Sequence, residues 1–263
     1  VVDRRQRQMC IRDRMGIAAD LDRVFNMGPV FRAEKSFTTR HLTEYTSFDV
    51  EIGYIDSYKE VCQFEQEMIK YTLQSIKETF GEEIKRVFDI DIKVPQGDFE
   101  YISVKEIKEK LAKEGIPSKE EGDFSPEEER AISQIIERDT GQEFAFVYDY
   151  PHKNRAFYHM KDPNRPEFAL GFDLFWKGIE ITTGAQREHR LENLKENAKE
   201  RGISLDSLAD YFEYFEYGCP PHGGFALGTE RFLMKLLNYN SILETTYLPN
   251  TPNRLGKLLN KAK

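Results

Sequence analysis

Cysteine is scarce in this 263-residue chain, and what there is does not pair up. Cys10, Cys62 and Cys219 are odd in number and widely spaced. No C-x-x-C pair occurs, so neither a disulfide framework nor a zinc site is indicated. An excess of basic residues is also missing. Lys and Arg total 38 against 46 Asp and Glu, a net charge of −8. A broad nucleic-acid-binding face is therefore not advertised, although net charge does not exclude a local patch. No apolar run reaches the roughly 18 residues that a membrane span needs, and no signal peptide is visible, so a cytoplasmic protein that spans no membrane is expected. Two phosphate-binding loops are missing as well. Gly223 and Gly228 have the spacing of a P-loop, but no Lys follows, and no G-x-G-x-x-G occurs.

What is present is enough apolar material for one sizeable core, 39% hydrophobic residues with 13% aromatic. The arginine-rich residues 1–14 have no clean periodicity and are expected to be a foreign segment, set apart from the fold at 15–263. Leu21 to Glu34 reads as a strand pattern around the turn pair Gly28-Pro29. Tyr45 to Tyr54 alternates. Thr46, Phe48, Val50, Ile52 and Tyr54 make a core face, while Tyr45, Ser47, Asp49 and Glu51 make a polar one. Two acids on a face that must be buried are expensive without a purpose. Val61 to Phe80 has helical spacing, and Ser103–Glu106 and Ser125–Glu128 read as capping boxes. The charged stretch at about 81–140 is expected to be an insertion. Glu143 to Tyr150 reads as a strand, Gly171 to Thr182 as a hairpin turning at Lys177-Gly178, and Leu191 to Arg201, Leu205 to Tyr217 and Thr229 to Leu237 as helices. Strands outnumber crossover units, which predicts an α+β fold with a mainly antiparallel sheet flanked by helices.

Three constellations could carry chemistry. A two-residue turn at Lys177-Gly178 would pair Phe175 with Glu180 and Asp173 with Thr182, placing Asp173 and Glu180 on one face. Two carboxylates that close repel unless a cation sits between them, and hard oxygens suit Mg²⁺. Phe31-Arg32-Ala33-Glu34, followed by Arg40-His41, offers an arginine able to grip phosphate oxygens in bidentate fashion. Gly223 to Arg231 joins glycines, a helix start and an arginine, the makings of an anion site.

Together these segments resemble the class II aminoacyl-tRNA synthetases. Gly28 to Glu34, continuing through Arg40 to Glu51, resembles motif 2 of that family. Gly223 to Leu237 resembles motif 3. Phe172 to Phe175 with Gly178 to Arg187, and Pro151 to Pro163, resemble the aspartyl enzymes of the archaeal and eukaryotic branch. The likeness covers roughly residues 15 to 256. It implies that Arg32 grips the ATP α-phosphate with Glu34 beside it, that His41 and Tyr45 contact and stack on adenine, and that Arg231 holds the γ-phosphate next to Gly228. It also implies that Asp173 and Glu180 bind Mg²⁺ with ATP, and that Arg187 pairs with the side chain of L-aspartate. Asp49 would face the α-amino group, and His222 would lie in the substrate site. Arg32 and Arg231 would be the catalytic pair. The implied reaction is formation of aspartyl-adenylate and transfer to the acceptor end of tRNA, in an enzyme that works as a homodimer. An ammonia-using asparagine synthetase and an asparaginyl-tRNA synthetase are the alternatives on the same fold.

Departures accompany the likeness. Ala226 stands where motif 3 has glycine, and Pro249 to Arg254 replaces the family's Pro-Arg-Asp. Motif 1, a substrate-binding loop with Gln and Lys, and an anticodon-binding β-barrel are expected upstream of this chain. Without them it is expected to bind Mg²⁺–ATP but to charge tRNA poorly.

Overall fold

A computed structural model describes residues 15–252, apart from 17, 19, 35–36, 117 and 119–121; the arginine-rich segment 1–14 and Arg254 lie outside the described residues. Seven strands form one sheet: β1 Arg23–Phe31, β2 Glu44–Gly53, β3 Glu100–Ser103, β4 Phe144–Tyr148, β5 Gly171–Trp176, β6 Ile179–Gln186 and β7 His222–Gly228. Their spatial order is β1-β2-β7-β6-β5-β4-β3. Only the β3–β4 pair is parallel; the other five are antiparallel. This is the α+β architecture that the alternation of short strands predicts.

Along the back of the sheet lies α1, Tyr58–Phe88. It starts at a capping box in which Ser57 and Glu60 satisfy each other's backbone N–H groups, and it ends at Asp89 in the left-handed region. Its stripe Val61, Cys62, Ile69 and Leu73 packs on Val50, Ile52, Phe172, Leu174, Trp176 and Phe225 in the main core. On the opposite side, α2 (Val104–Lys113) and α3 (Pro126–Thr140) cover Ala145, Val147 and Phe175. The expected boxes at Ser103–Glu106 and Ser125–Glu128 start these two helices. A third cluster joins α4 (Leu191–Glu200) and α5 (Ala209–Glu216) through Leu194, Ala198, Tyr211 and Phe215. The last helix, α6 (Thr229–Leu236), follows β7 directly.

Two expectations need correction. Gly28-Pro29 is no turn: β1 runs straight through it, paired to Ser47 and Thr46. Proline is tolerated because β1 is the edge strand, where a missing N–H costs no ladder bond on the open side. The stretch at about 81–140, expected to be an insertion, packs into the body of the fold. Residues 81–88 complete α1, β3 is the far strand of the sheet, and α2 and α3 build one of its cores. The β5–β6 hairpin turns at Lys177-Gly178, both with positive φ (45° and 82°), and Phe175 pairs with Glu180 as expected. One step further the register shifts. Leu174 pairs with Thr182 and Asp173 with Thr183, because Ile181 bulges out of the ladder.

Candidate active site

The front of the sheet holds the polar face of β2. Ser47, Asp49 and Glu51 are all buried there, and the Ser47 hydroxyl donates to Asp49 at 2.7 Å. Opposite them, β7 presents Gly228, Ala226 and Gly224 in register with Ser47, Asp49 and Glu51. These small residues make room. A Cβ at Gly224 would sit 2.0 Å from the Val50 carbonyl and 2.5 Å from a Glu51 carboxylate oxygen. The glycine therefore serves the seat of Glu51 as well as any approach of a ligand.

At the β1–β2 end a solvent-open cavity of ≈ 90 Å³ is lined by Arg32, Glu34, Arg40, His41, Tyr45, Glu180, Gly228, Glu230 and Arg231, among others. Every residue assigned to ATP from the sequence reaches this one space. The Arg32 guanidinium lies 5.1 Å from the Tyr45 ring centre, a cation–π contact. Burial pushes the Tyr45 hydroxyl above its ordinary pKa, against the pull of Arg32 and Arg231. Burial, then the Arg231 charge, hold His41 below its usual value, with Glu34 opposing. Its Nδ1 lies 2.8 Å from the Thr38 hydroxyl. Arg231 donates to the Glu180 carbonyl at 2.9 Å and stands 3.7 Å from the Glu180 carboxylate. The Thr183 hydroxyl donates to that carboxylate at 2.7 Å. Thr46 N–H donates to both oxygens of Glu230, at 2.9 and 3.0 Å, so the acid preceding Arg231 ties α6 to β2.

The other assigned residues do not line this cavity. Arg187 is 4% exposed and donates through Nε to Glu51 at 2.8 Å. Its Nη2 reaches the second Glu51 oxygen at 3.3 Å and the Gly224 carbonyl at 3.1 Å. Burial works against the Arg187 charge, but Glu51 outweighs it and holds the guanidinium above its ordinary pKa. His222 is fully buried at the far end of β7. Its Nδ1 donates to the Pro220 carbonyl at 2.9 Å, leaving Nε2 without a partner among the described residues. Burial depresses its pKa, so it is the neutral ring that faces the Arg187 side. Asp173 is clasped by Arg155 at 3.0 and 2.6 Å, and Arg155 stacks on Tyr150 at 3.6 Å. Burial raises the Asp173 pKa and Glu180 adds to it, with Arg155 opposing.

Sequence reasoning missed the partners more than the site. Glu51 was visible on the polar face of β2 without a role, and Arg155 was visible only as part of a resemblance. Both roles depend on pairings across 136 and 18 positions, which no spacing reveals.

The donor set bears on the metal. Among the described residues no three of His, Cys, Asp and Glu converge as a cage. Glu180 presents a carboxylate at the cavity wall, whereas both Asp173 oxygens are occupied by Arg155. This fits a Mg²⁺ that arrives on a nucleotide with phosphate and water ligands of its own, not a dedicated protein site.

Known proteins supply the frame. The profile of the family described as tRNA synthetases class II (D, K and N) matches residues 12–252. An aspartate–tRNA(Asp) ligase from Pyrococcus furiosus is 39% identical over 242 residues, which is 91% of this chain and 54% of that protein. The solved aspartyl tRNA synthetase from Entamoeba histolytica superposes with a TM-score of 0.85 at 32% identity, over 92% of this chain and 50% of its own. Asparaginyl-tRNA synthetase from Pyrococcus horikoshii, solved with asparaginyl-adenylate, gives 0.84 at 30% identity over 92% and 55%. The chain thus spans about half the length of the relatives it matches.

Proposed function

The chain belongs to the class II tRNA synthetases (D, K and N), and we propose that its site activates L-aspartate with ATP and passes the aspartyl group to the acceptor end of tRNA. The observation that carries this is one continuous sheet face. Arg32, Glu180 and Arg231 stand at its open end, and the buried Arg187–Glu51 pair stands at its closed end. The open end suits a triphosphate and a base, the closed end a small charged amino acid.

The chemistry is two displacements. The aspartate α-carboxylate attacks the ATP α-phosphate and expels pyrophosphate. A 3′-terminal hydroxyl of tRNA then attacks the acyl carbon of the adenylate and releases AMP. No side-chain nucleophile is required, so positioning and charge neutralisation do the work. Arg32 takes the α-phosphate, Arg231 the γ-phosphate, and the Tyr45 ring the adenine, with neutral His41 beside it. Glu180, with Asp173 behind it, would hold Mg²⁺, which would supply further neutralisation of the phosphates. Arg187 uses Nε and Nη2 on Glu51 and Gly224, which leaves Nη1 for the substrate's side-chain carboxylate. Asp49 accepts from the α-amino group, and His222 walls the pocket. A guanidinium left short of its carboxylate would reject asparagine, and a missing polar partner of this kind can be worth ~10⁴-fold.

The homodimer and the cytoplasmic setting belong to the same reading for the longer protein. The edge strand β1 leaves Phe25, Met27 and Phe31 exposed, which supports a covered two-fold face. No described helix is long and apolar enough to cross a membrane. Pyrophosphate exchange with aspartate and with asparagine, followed by ammonia-dependent asparagine formation, tests the proposal. Exchange with aspartate alone and no free asparagine is expected. Preference for asparagine would select the asparaginyl enzyme, and ammonia-dependent product the asparagine synthetase.

A further inference from the structure

Glu180 on β6 and Arg187, one residue past the end of that strand and still bridged to His159, are seven residues apart. A regular strand alternates faces, so an odd separation puts two side chains on opposite sides of the sheet. Here both face the site: Glu180 lines the cavity and Arg187 reaches Glu51 on the front of β2. The bulge at Ile181 makes this possible. Before it Glu180 pairs with Phe175, and after it Thr183 pairs with Asp173 on the same side, while Thr182 turns to the back with Leu174. One extra residue changes the phase of everything that follows.

Something must hold the bulge at this residue and no other. Glu-Ile-Thr-Thr contains no glycine or proline to fix it locally. Behind the sheet, the Thr182 hydroxyl donates to Glu65 of α1 at 2.5 Å. Glu65 is completely buried in a stripe otherwise made mainly of Val61, Cys62, Ile69 and Leu73, and its second oxygen has no partner among the described residues. A buried carboxyl is costly in such a place. Had the bulge fallen one residue later, Thr182 would face the front and Glu65 would lose its single hydrogen bond. The mechanism described above does not use Glu65.

We infer that Glu65 is a positioning residue: its bond to Thr182 fixes the β6 bulge, and thereby brings the phosphate-side Glu180 and the aspartate-side Arg187 to one face. The inference rests on the proposed assignment of Glu180 to Mg²⁺–ATP. Its distinctive consequence is that a contact outside the site controls both halves of the site together, through register and not through stability.

The test measures Mg²⁺–ATP affinity by calorimetry on the full chain for T182V, T182S, E65M, E180Q and I69A. T182V keeps the shape of threonine without the hydroxyl, and T182S restores the hydroxyl. I69A opens a cavity on the same helix face away from the bulge. T182V and E65M should raise Kd about fivefold to tenfold, the worth of one buried hydrogen bond. T182S should stay within about twofold of the parent, and so should I69A although it melts lower. If E65M does not fold, the T182V and T182S pair decides alone. T182V at the parent's affinity while E180Q is weakened would overturn the inference and leave the site assignment standing. Equal weakening by I69A would reduce Glu65 to general packing and also overturn it. Normal binding by E180Q would sink the site assignment itself, and the inference with it.

Discussion

The two ends of the site are built on opposite principles. At the proposed ATP end, Arg32, His41, Tyr45 and Arg231 line a cleft open to solvent: the Arg32–Tyr45 ring contact spans 5.1 Å and the Arg231–Glu180 ion pair 3.7 Å, beside hydrogen bonds of Arg231 and His41 to a carbonyl and a hydroxyl at 2.9 and 2.8 Å. At the proposed aspartate end the charge is buried and already paired, Arg187 with Glu51 at 2.8 and 3.3 Å. The difference teaches what each end can deliver. Hydrated groups adapt to a large, flexible, highly charged ligand, and each one is worth little. Buried, pre-oriented charges cannot adapt, so they discriminate, and removing one leaves its partner stranded.

The largest effect should therefore come from the buried end. Arg187→Ala is expected to lower aspartate-dependent pyrophosphate exchange by at least ~10²-fold, as loss of a desolvated charged partner does. It also strands Glu51, which should cost roughly 3–5 kcal/mol of stability. Mg²⁺–ATP binding by the folded fraction should stay within about twofold. Exchange kinetics, a thermal melt and calorimetry separate the three. Normal aspartate activation, or lost ATP affinity, would erase the distinction between the ends.

Next in size is a pH effect on stability. Burial lifts the Glu65 pKa to about 8, with Asp173 adding to it and Thr182 opposing. For an acid raised in the folded state, the neutral form is the one that fits. Its contribution is full below the unfolded value near 4.5 and drains away as pH rises to about 8. Asp173, Cys62 and Tyr101 are the ionisable groups coupled to it. His152, held at about 4 by burial and then Arg201, acts in the opposite sense: its neutral form is favoured, so stability drops as pH falls from 6.5 toward 4, which offsets Glu65 over the acid half of that window. Melting temperature should therefore fall between about 6.5 and 8 in the parent, and E65Q, which cannot ionise, should remove that fall. A parent whose melting temperature matches E65Q between 6.5 and 8 would mean Glu65 is ionised and solvated in the fold.

How much of this could be read from the chain differs between the ends as well. The polar face of β2, the hairpin at Lys177-Gly178 and the capping boxes at Ser103 and Ser125 follow from local rules, and the structure has them. The proposed ATP end is partly legible because Arg32, Glu34, His41 and Tyr45 sit on one stretch of chain, while Glu180 and Arg231 join them from far along it. The proposed aspartate end is legible only as a set of candidate residues. Its Arg187–Glu51 pair joins positions 136 apart, and the bulge that phases Arg187 has no local signature. Period-two reasoning alone would have put Arg187 on the wrong face. The stretch at 81–140 reads as little more than charge for a related reason: β3 is four residues long at the far edge, too short to show alternation.

A smaller effect should come from Glu180 and Asp173, the acids proposed to hold the metal, and the two should differ. Glu180→Gln removes a cavity-wall carboxylate and should raise the Mg²⁺ needed for half-maximal exchange several-fold, about the worth of one charged contact, with little change in melting. Asp173→Asn breaks a buried ion pair and should lower the melting temperature as well, because Arg155 is left without its counter-charge. Unchanged Mg²⁺ titrations in both variants would remove the metal from this hairpin. Identical melting in both would show Asp173 to be as open as Glu180.

The smallest effect should come from Tyr45→Phe, and it asks whether the open end works through faces or through hydrogen bonds. The ring lies under Arg32 at 5.1 Å and is half-buried against the core. Burial raises the hydroxyl pKa, so it stays protonated at neutral pH and contributes no charge. A π-face needs only the ring, both for the guanidinium and for a stacked base. Tyr45→Phe keeps that face and should change Mg²⁺–ATP affinity by less than about twofold. Tyr45→Ala removes it, and base–aromatic stacking is worth ~1–3 kcal/mol per base, so affinity should fall about tenfold or more. The guanidinium of Arg32 would also lose its rest, which adds to the loss at the α-phosphate. A tenfold loss in Tyr45→Phe would mean that the hydroxyl makes an oriented contact, and that the open end shares the buried end's reliance on placed polar groups. Equal, near-parent affinities in both variants would instead move the adenine off this ring and leave the phosphates alone to hold the nucleotide.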